Sequence, residues 1–174
     1  MRRKMNAATA ARRERGLCAR AGRFAFAGAL AVAGVVAVTP LLYAGGDWND
    51  AQVAWQPHDK GLATAKEEKK PVCLVFYTEW CPHCTNYSAV FHDAKVVEQA
   101  KRFVMIRLDK DKNAEISKKY TPDGEYIPRT YFLSSAGVLD PEIHAARDQY
   151  KYFYDEHDAA SVLAGMDAAL KKLK

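Results

Sequence analysis

Cysteine is scarce in this chain: four residues in 174, of which only Cys81 and Cys84 stand close together. That excludes a disulfide-scaffolded module, which needs several pairs to compensate for a small core. Cys18 has no structural partner and precedes the apolar run, unlike a lipoprotein cysteine, and Cys73 inside "PVCLVFY" reads as a small buried hydrophobe. A second CxxC is missing, and His58, His92, His144 and His157 show no ligand spacing, so a structural zinc site lacks half its ligands. "DKDKN", Asp109 to Asn113, imitates a calcium loop, but Ala114 replaces its glycine and Tyr120 its bidentate glutamate. Internal repeats are absent. So is a charge excess in the body of the chain: the net +5 arises because eight Lys and Arg against one Glu precede position 24, leaving 18 against 20 from Gly45 onward. A body so balanced gives nucleic-acid binding little electrostatic support.

Charge is missing altogether from residues 24–44, "FAFAGALAVAGVVAVTPLLYA". Behind a basic leader, 1–23, such a stretch is long enough to cross a bilayer as a helix at about 1.5 Å per residue. Two readings stand: a signal peptide cleaved after Ala37 or, less well, Ala44, and an uncleaved membrane anchor with the leader in the cytoplasm. Both take the remainder out of the reducing cytoplasm. The expected location is the periplasm or the outer face of the inner membrane, with secretion or an ER lumen as the alternative.

Residues 45–56 read as a linker and domain entry, with Trp48 and Trp55 packed, and 57–174 as one domain. A helix is expected from near His58 to just before Pro71. "PVCLVFYT" is apolar on both faces, as a central strand covered by helices would be. A helix should open at Cys81, because Pro82 suits a first turn, and run to about Phe91; the sequon "NYS" at Asn86 falls inside it. Asp93 caps "DAKVVEQAKR", "RFVMIRLD" (102–109) is a strand, "AEISKKY" a short helix, and "RTYFLSSAGVL" a strand, a turn and the start of another strand. Asp158 caps a last helix, with Val162, Met166, Leu170 and Leu173 at helical spacing and lysines at its end. The class is α/β. The run Tyr150, Tyr152, Phe153 and Tyr154 either binds a partner or packs the last helix.

"TEWCPHC" carries the chemistry. Cysteines at i and i+3 in a helix's first turn bring two sulfurs within disulfide range, and the first faces unpaired N–H groups and the positive helix end. That favours its thiolate. Cys81 is thus the candidate nucleophile and Cys84 the resolving thiol; Pro82 and His83 would tune the thiolate, His83 by a hydrogen bond or a positive charge. Each such effect stabilises the dithiol and makes the pair more oxidising. Trp80 is a candidate for the substrate surface, and Tyr77 reads as core. A passive staple over so short a loop and a two-thiolate copper site are the competing readings.

"FYTEWCPHC" after an apolar strand, with "IP" downstream before another strand, resembles the thioredoxin superfamily. "YTPDGEYIPRTYFLSSAGVLDPEI" and "YKYFYDEHDAASVLAGM" are similar to the endoplasmic-reticulum thioredoxin-domain proteins related to the anterior gradient family, over residues 47 to 170. The resemblance implies a thioredoxin fold, with a central mixed sheet flanked by helices. It implies a cis bond before Pro128, with Ile127 and Pro128 shaping a substrate groove beside the cysteines, whereas from the residues alone Pro128 could simply open a strand. It also implies thiol–disulfide exchange with protein clients and a recycling partner, and no organic cofactor, since the electrons reside in the cysteine pair. Oxidase or isomerase action fits Cys-Pro-His-Cys better than reductase action; a non-enzymatic copper binder or chaperone is the rival. Three departures stand out. The chain ends "LKKLK" without an ER-retrieval signal, which favours a bacterial envelope. The centre is Cys-Pro-His-Cys, not the family's usual one. Val75 occupies the strand position where thioredoxins keep a buried acid, leaving Glu79 and Arg107 as possible auxiliaries for Cys84.

Overall fold

The computed structural model describes residues 45–173, so the leader, the apolar run 24–44 and Cys18 lie outside the described residues. The elements follow one another as β1 (Trp55–Gln56), α1 (His58–Glu68), β2 (Val72–Tyr77), α2 (Pro82–Val90), α3 (Ala94–Ala100), β3 (Val104–Asp109), α4 (Ala114–Ser117), β4 (Arg129–Leu133) and α5 (Ala159–Lys172). The sheet order is β1-β3-β2-β4, with β2 parallel to β3 and antiparallel to β4. β2 is central, and Val72 to Phe76 are buried because both edges and both faces are covered.

Alternation along β2 divides the core in two. Cys73 and Val75 face a cluster with Tyr87 and Phe91 of α2 and its end, Val96 of α3, and Val162 and Met166 of α5. Leu74 and Phe76 face the other side, with Ala65 of α1, Ile106 of β3 and Tyr131 of β4. Gly61 lets α1 lie directly on the sheet, for a Cβ there would stand 2.5 Å from Ile106 Cδ1. Gly165 plays the same part where α5 crosses Phe132 and Tyr154.

Residues 45–56 carry the packed tryptophans expected at the domain entry. Trp48 is 3% exposed, its indole N–H donates to the Gly45 carbonyl at 2.7 Å, and its ring packs against Tyr77 and Phe91, so the segment is anchored by aromatic burial and ends in β1. The second strand expected after the "SSAG" turn is reduced to one antiparallel bridge, Leu133 with Leu139. The outer side of β4 receives a further backbone bond from the aromatic run instead, Thr130 N–H to Tyr152 O at 2.8 Å.

Candidate active site

The end of β2 delivers the cysteines to the start of α2. Pro82, which has no N–H to leave unpaired, begins the helix, and Cys81 is its N-cap with extended backbone (φ −85°, ψ 114°). The sulfur does the work that a serine oxygen commonly does at this position: Cys81 Sγ accepts the Cys84 N–H at 3.2 Å. Both residues are free thiols, Cys81 3% and Cys84 0% exposed. Burial drives the Cys84 thiol strongly upward, its bond to Cys81 adds to this, and a backbone bond with Thr78 opposes it. Cys84 is therefore a thiol at rest. Cys73 is a buried thiol on the same face of the sheet, pushed up by burial alone, as its position in an apolar strand implied.

The Ile127–Pro128 peptide is cis, as the resemblance implied, and the Cys81 thiol lies 4.0 Å from the Ile127 carbonyl oxygen. Trp80 is 70% exposed and its indole N–H donates to Asp111 Oδ2 at 2.8 Å, so the ring stands at the surface directly before Cys81. Arg129, immediately after Pro128, is fully buried; its guanidinium donates to the Gly124 carbonyl and the Ser117 hydroxyl and lies 5.1 Å from the Phe76 ring centre. The turn that presents Ile127 is thereby tied to the core.

His83 departs from expectation. Its Nδ1 lies 2.8 and 3.0 Å from the two carboxylate oxygens of Glu156, and its ring edge meets Phe153. Among the described residues it forms no hydrogen bond with Cys81, because its position on α2 turns it toward the loop before α5. Glu156 also accepts from Asn86 Nδ2 at 3.1 Å and pairs with His157 at 3.3 Å. Burial alone would raise this carboxyl, but the bonds from His83 and Asn86 and the neighbouring histidine charges bring it below the usual glutamate range. Beside it a cleft of about 530 Å³ is lined by His83, Arg147, Phe153 and Glu156.

The two auxiliary candidates point elsewhere. Glu79 is an exposed partner of Lys112. Arg107 pairs with Asp50 at 2.9 Å and lies 5.3–5.6 Å from the ring centres of Trp48, Trp55 and Tyr77, which are bound to it as a cation–aromatic cluster. Tyr77 is accordingly half-buried at the core's edge rather than inside it. Among the described residues neither Glu79 nor Arg107 forms a hydrogen bond or ion pair with Cys81 or Cys84. Val75 is wholly buried and apolar, so no acid stands at that strand position. The acid brought to the centre is Glu156, 73 residues from His83, and no spacing rule connects them.

Comparison with known proteins agrees with this geometry. Residues 54–135 match the family model described as thioredoxin-like. The human anterior gradient protein 2 homolog is 29% identical over 128 residues, 73% of this chain and 71% of the relative. Anterior gradient protein 3 of Xenopus tropicalis is 27% identical over 131 residues, covering 73% and 77%. Among solved structures, a thioredoxin from Thermus thermophilus superposes with a TM-score of 0.55 at 23% identity, covering 70% of this chain and 89% of the other. A DsbH oxidoreductase gives 0.52 at 20% identity, covering 77% and 91%, and at such identities the likeness concerns the fold. With Cys81 capping the helix after the central strand and a cis-proline turn facing it, the chain is similar to thioredoxin-superfamily proteins, the anterior gradient proteins among them.

Proposed function

We propose that the chain is an exported thiol–disulfide oxidoreductase acting on protein clients through Cys81 and Cys84, as an oxidase or isomerase rather than a reductase. The observation that carries this reading is the sulfur at the helix start: Cys81 Sγ caps α2 and accepts the Cys84 N–H at the positive end of the helix, while Cys84 is buried as a thiol one turn in. With the pair oxidised, a client thiolate attacks Cys81 Sγ, breaks the Cys81–Cys84 bond and leaves Cys84 as a thiolate that takes up a proton. A second client thiolate then attacks the client sulfur of this mixed disulfide, forming the client disulfide and releasing Cys81 as thiolate. Two electrons remain in the Cys81–Cys84 dithiol, so an oxidising partner must remove them. Trp80 and Ile127 stand beside Cys81 and form the client surface, with Pro128 buried behind them and the Ile127 backbone, its carbonyl oxygen 4.0 Å from Cys81 Sγ, pairing with an extended client strand. Location outside the cytoplasm rests on the basic leader and the uncharged run 24–44.

The test is the reduction potential of the protein equilibrated in glutathione buffers. A value between about −120 mV, as in DsbA, and about −180 mV, as in protein disulfide isomerase, is expected. One near about −270 mV, the thioredoxin value, would make the protein a reductase. Cys84→Ser should accumulate a mixed disulfide with client thiols, seen by non-reducing electrophoresis and mass spectrometry, and Cys81→Ser should form none. A pair that never exchanges with glutathione would leave copper binding or chaperone action as the reading.

A further inference from the structure

The motif suggests a strongly oxidising centre because a histidine between the cysteines can lend hydrogen bond or charge to Cys81. In the folded protein that histidine is engaged elsewhere. His83 and Asn86 are one turn apart on α2, and both reach the Glu156 carboxylate, whose side chain is only 11% exposed. A carboxylate only accepts, so the shared hydrogen resides on His83 Nδ1. The hydrogen-bond partners of Cys81 Sγ are instead the Cys84 N–H and the Ile127 carbonyl. The carboxylate's own negative charge also lies near the first turn of α2, where it opposes the positive helix end that favours thiolate. The same charge acts on Cys84, adding to burial in holding it as a thiol. Because Cys84 is already a thiol, it is the effect at the helix start, on Cys81, that weakens the preference for the dithiol over the disulfide.

We propose that Glu156 is a positioning residue that holds His83 by Nδ1 and counters its charge, making the Cys81–Cys84 pair a weaker oxidant than Cys-Pro-His-Cys alone implies. This rests on the redox reading above and places the protein toward the isomerase end of it. Glu156 belongs to the loop before α5, so the poise of the pair is set by a segment distant in sequence from the cysteines.

Glu156→Gln keeps the shape and an acceptor for Nδ1–H while removing the charge. In glutathione buffers, where two protein thiols lose two electrons and two protons to glutathione disulfide and yield two glutathione thiols, the equilibrium constant for closing the Cys81–Cys84 disulfide should fall roughly tenfold, about 30 mV. In a His83→Ala background the same substitution should lose part of its effect, the part that acts through His83. An unchanged or more reducing potential for Glu156→Gln overturns the proposal, and so does full additivity with His83→Ala. Nitrogen-detected NMR of His83 gives a readout independent of exchange: a hydrogen on Nδ1 in the wild type supports the tether, and one on Nε2 alone overturns it. A wild type that exchanges normally beside an unaltered variant defeats only this inference, whereas a wild type that never exchanges defeats the redox reading beneath it.

Discussion

Arg129 illustrates how much of the site depends on a residue with no chemistry of its own. A fully buried guanidinium is costly unless its donors are met, and here the two terminal nitrogens donate to the Gly124 carbonyl and the Ser117 hydroxyl over the face of Phe76, while Nε–H is left without a partner among the described residues. Arg129→Ala should lower unfolding stability by at least about 3 kcal/mol, because the buried Ser117 hydroxyl and the part-buried Gly124 carbonyl lose their donor and a cavity opens. Arg129→Met, which keeps volume, should cost less. Urea unfolding midpoints of the two variants check this; equal losses would contradict the role given to the hydrogen bonds. The placing of Cys81 and Cys84 at a helix start was legible because a four-residue motif with Pro82 is a local signal, whereas the cis bond before Pro128 came only from the resemblance, since from the residues alone that proline could open a strand. Glu156 and the burial of Arg129 were not legible, since an acid in "YDEHDAA" and an arginine in "IPRTYF" take their roles from partners that only the fold supplies.

Among the elements, the helices were read best. Pro82 at the start of α2, Asp93 before α3 and Asp158 before α5 are local signals, and the two aspartates accept the expected backbone N–H groups, Asp93 from Lys95 and Val96, Asp158 from Ala160. Strands are less legible, because a strand exists only where a neighbour pairs with it. Two-residue β1 was hidden in an apparent linker, and the hairpin after β4 reduces to a bridge because Tyr152 takes part of its place. The approach of α1 to β3 offers a test at this scale. Gly61→Ala adds a methyl where Ile106 already stands, so despite alanine's better helix propensity it should destabilise the protein by about 1–3 kcal/mol. A stabilising effect in thermal unfolding would show that the helix rides higher on the sheet than described.

Across the whole molecule, two carboxyls link distant segments and give stability a pH dependence. Asp140, beyond the turn after β4, is hydrogen-bonded by Lys172 at the end of α5, which holds it below the usual aspartate range despite some burial. Glu156 is held low by His83 and Asn86 against its burial. A carboxyl with a lower value folded than unfolded stabilises the fold above its unfolded value. That contribution fades as pH falls through the folded one. Thermal midpoints should therefore decline on acidification below the ordinary carboxylate range. Asp140→Asn should decline less steeply, and an identical profile would show that the Lys172 bond is not maintained in solution. None of this was visible beforehand, since the sheet order β1-β3-β2-β4 decides which loops meet.

The placement of the tryptophans has an optical side. Trp48 and Trp55 are sheltered in an aromatic cluster with Arg107, while Trp80 faces water next to Cys81. The protein's intrinsic emission is thus divided between two shielded indoles that register whether the chain is folded and one wet indole adjoining the sulfur that changes oxidation state. Folding and chemistry are written at different wavelengths of the same spectrum, without any label being attached.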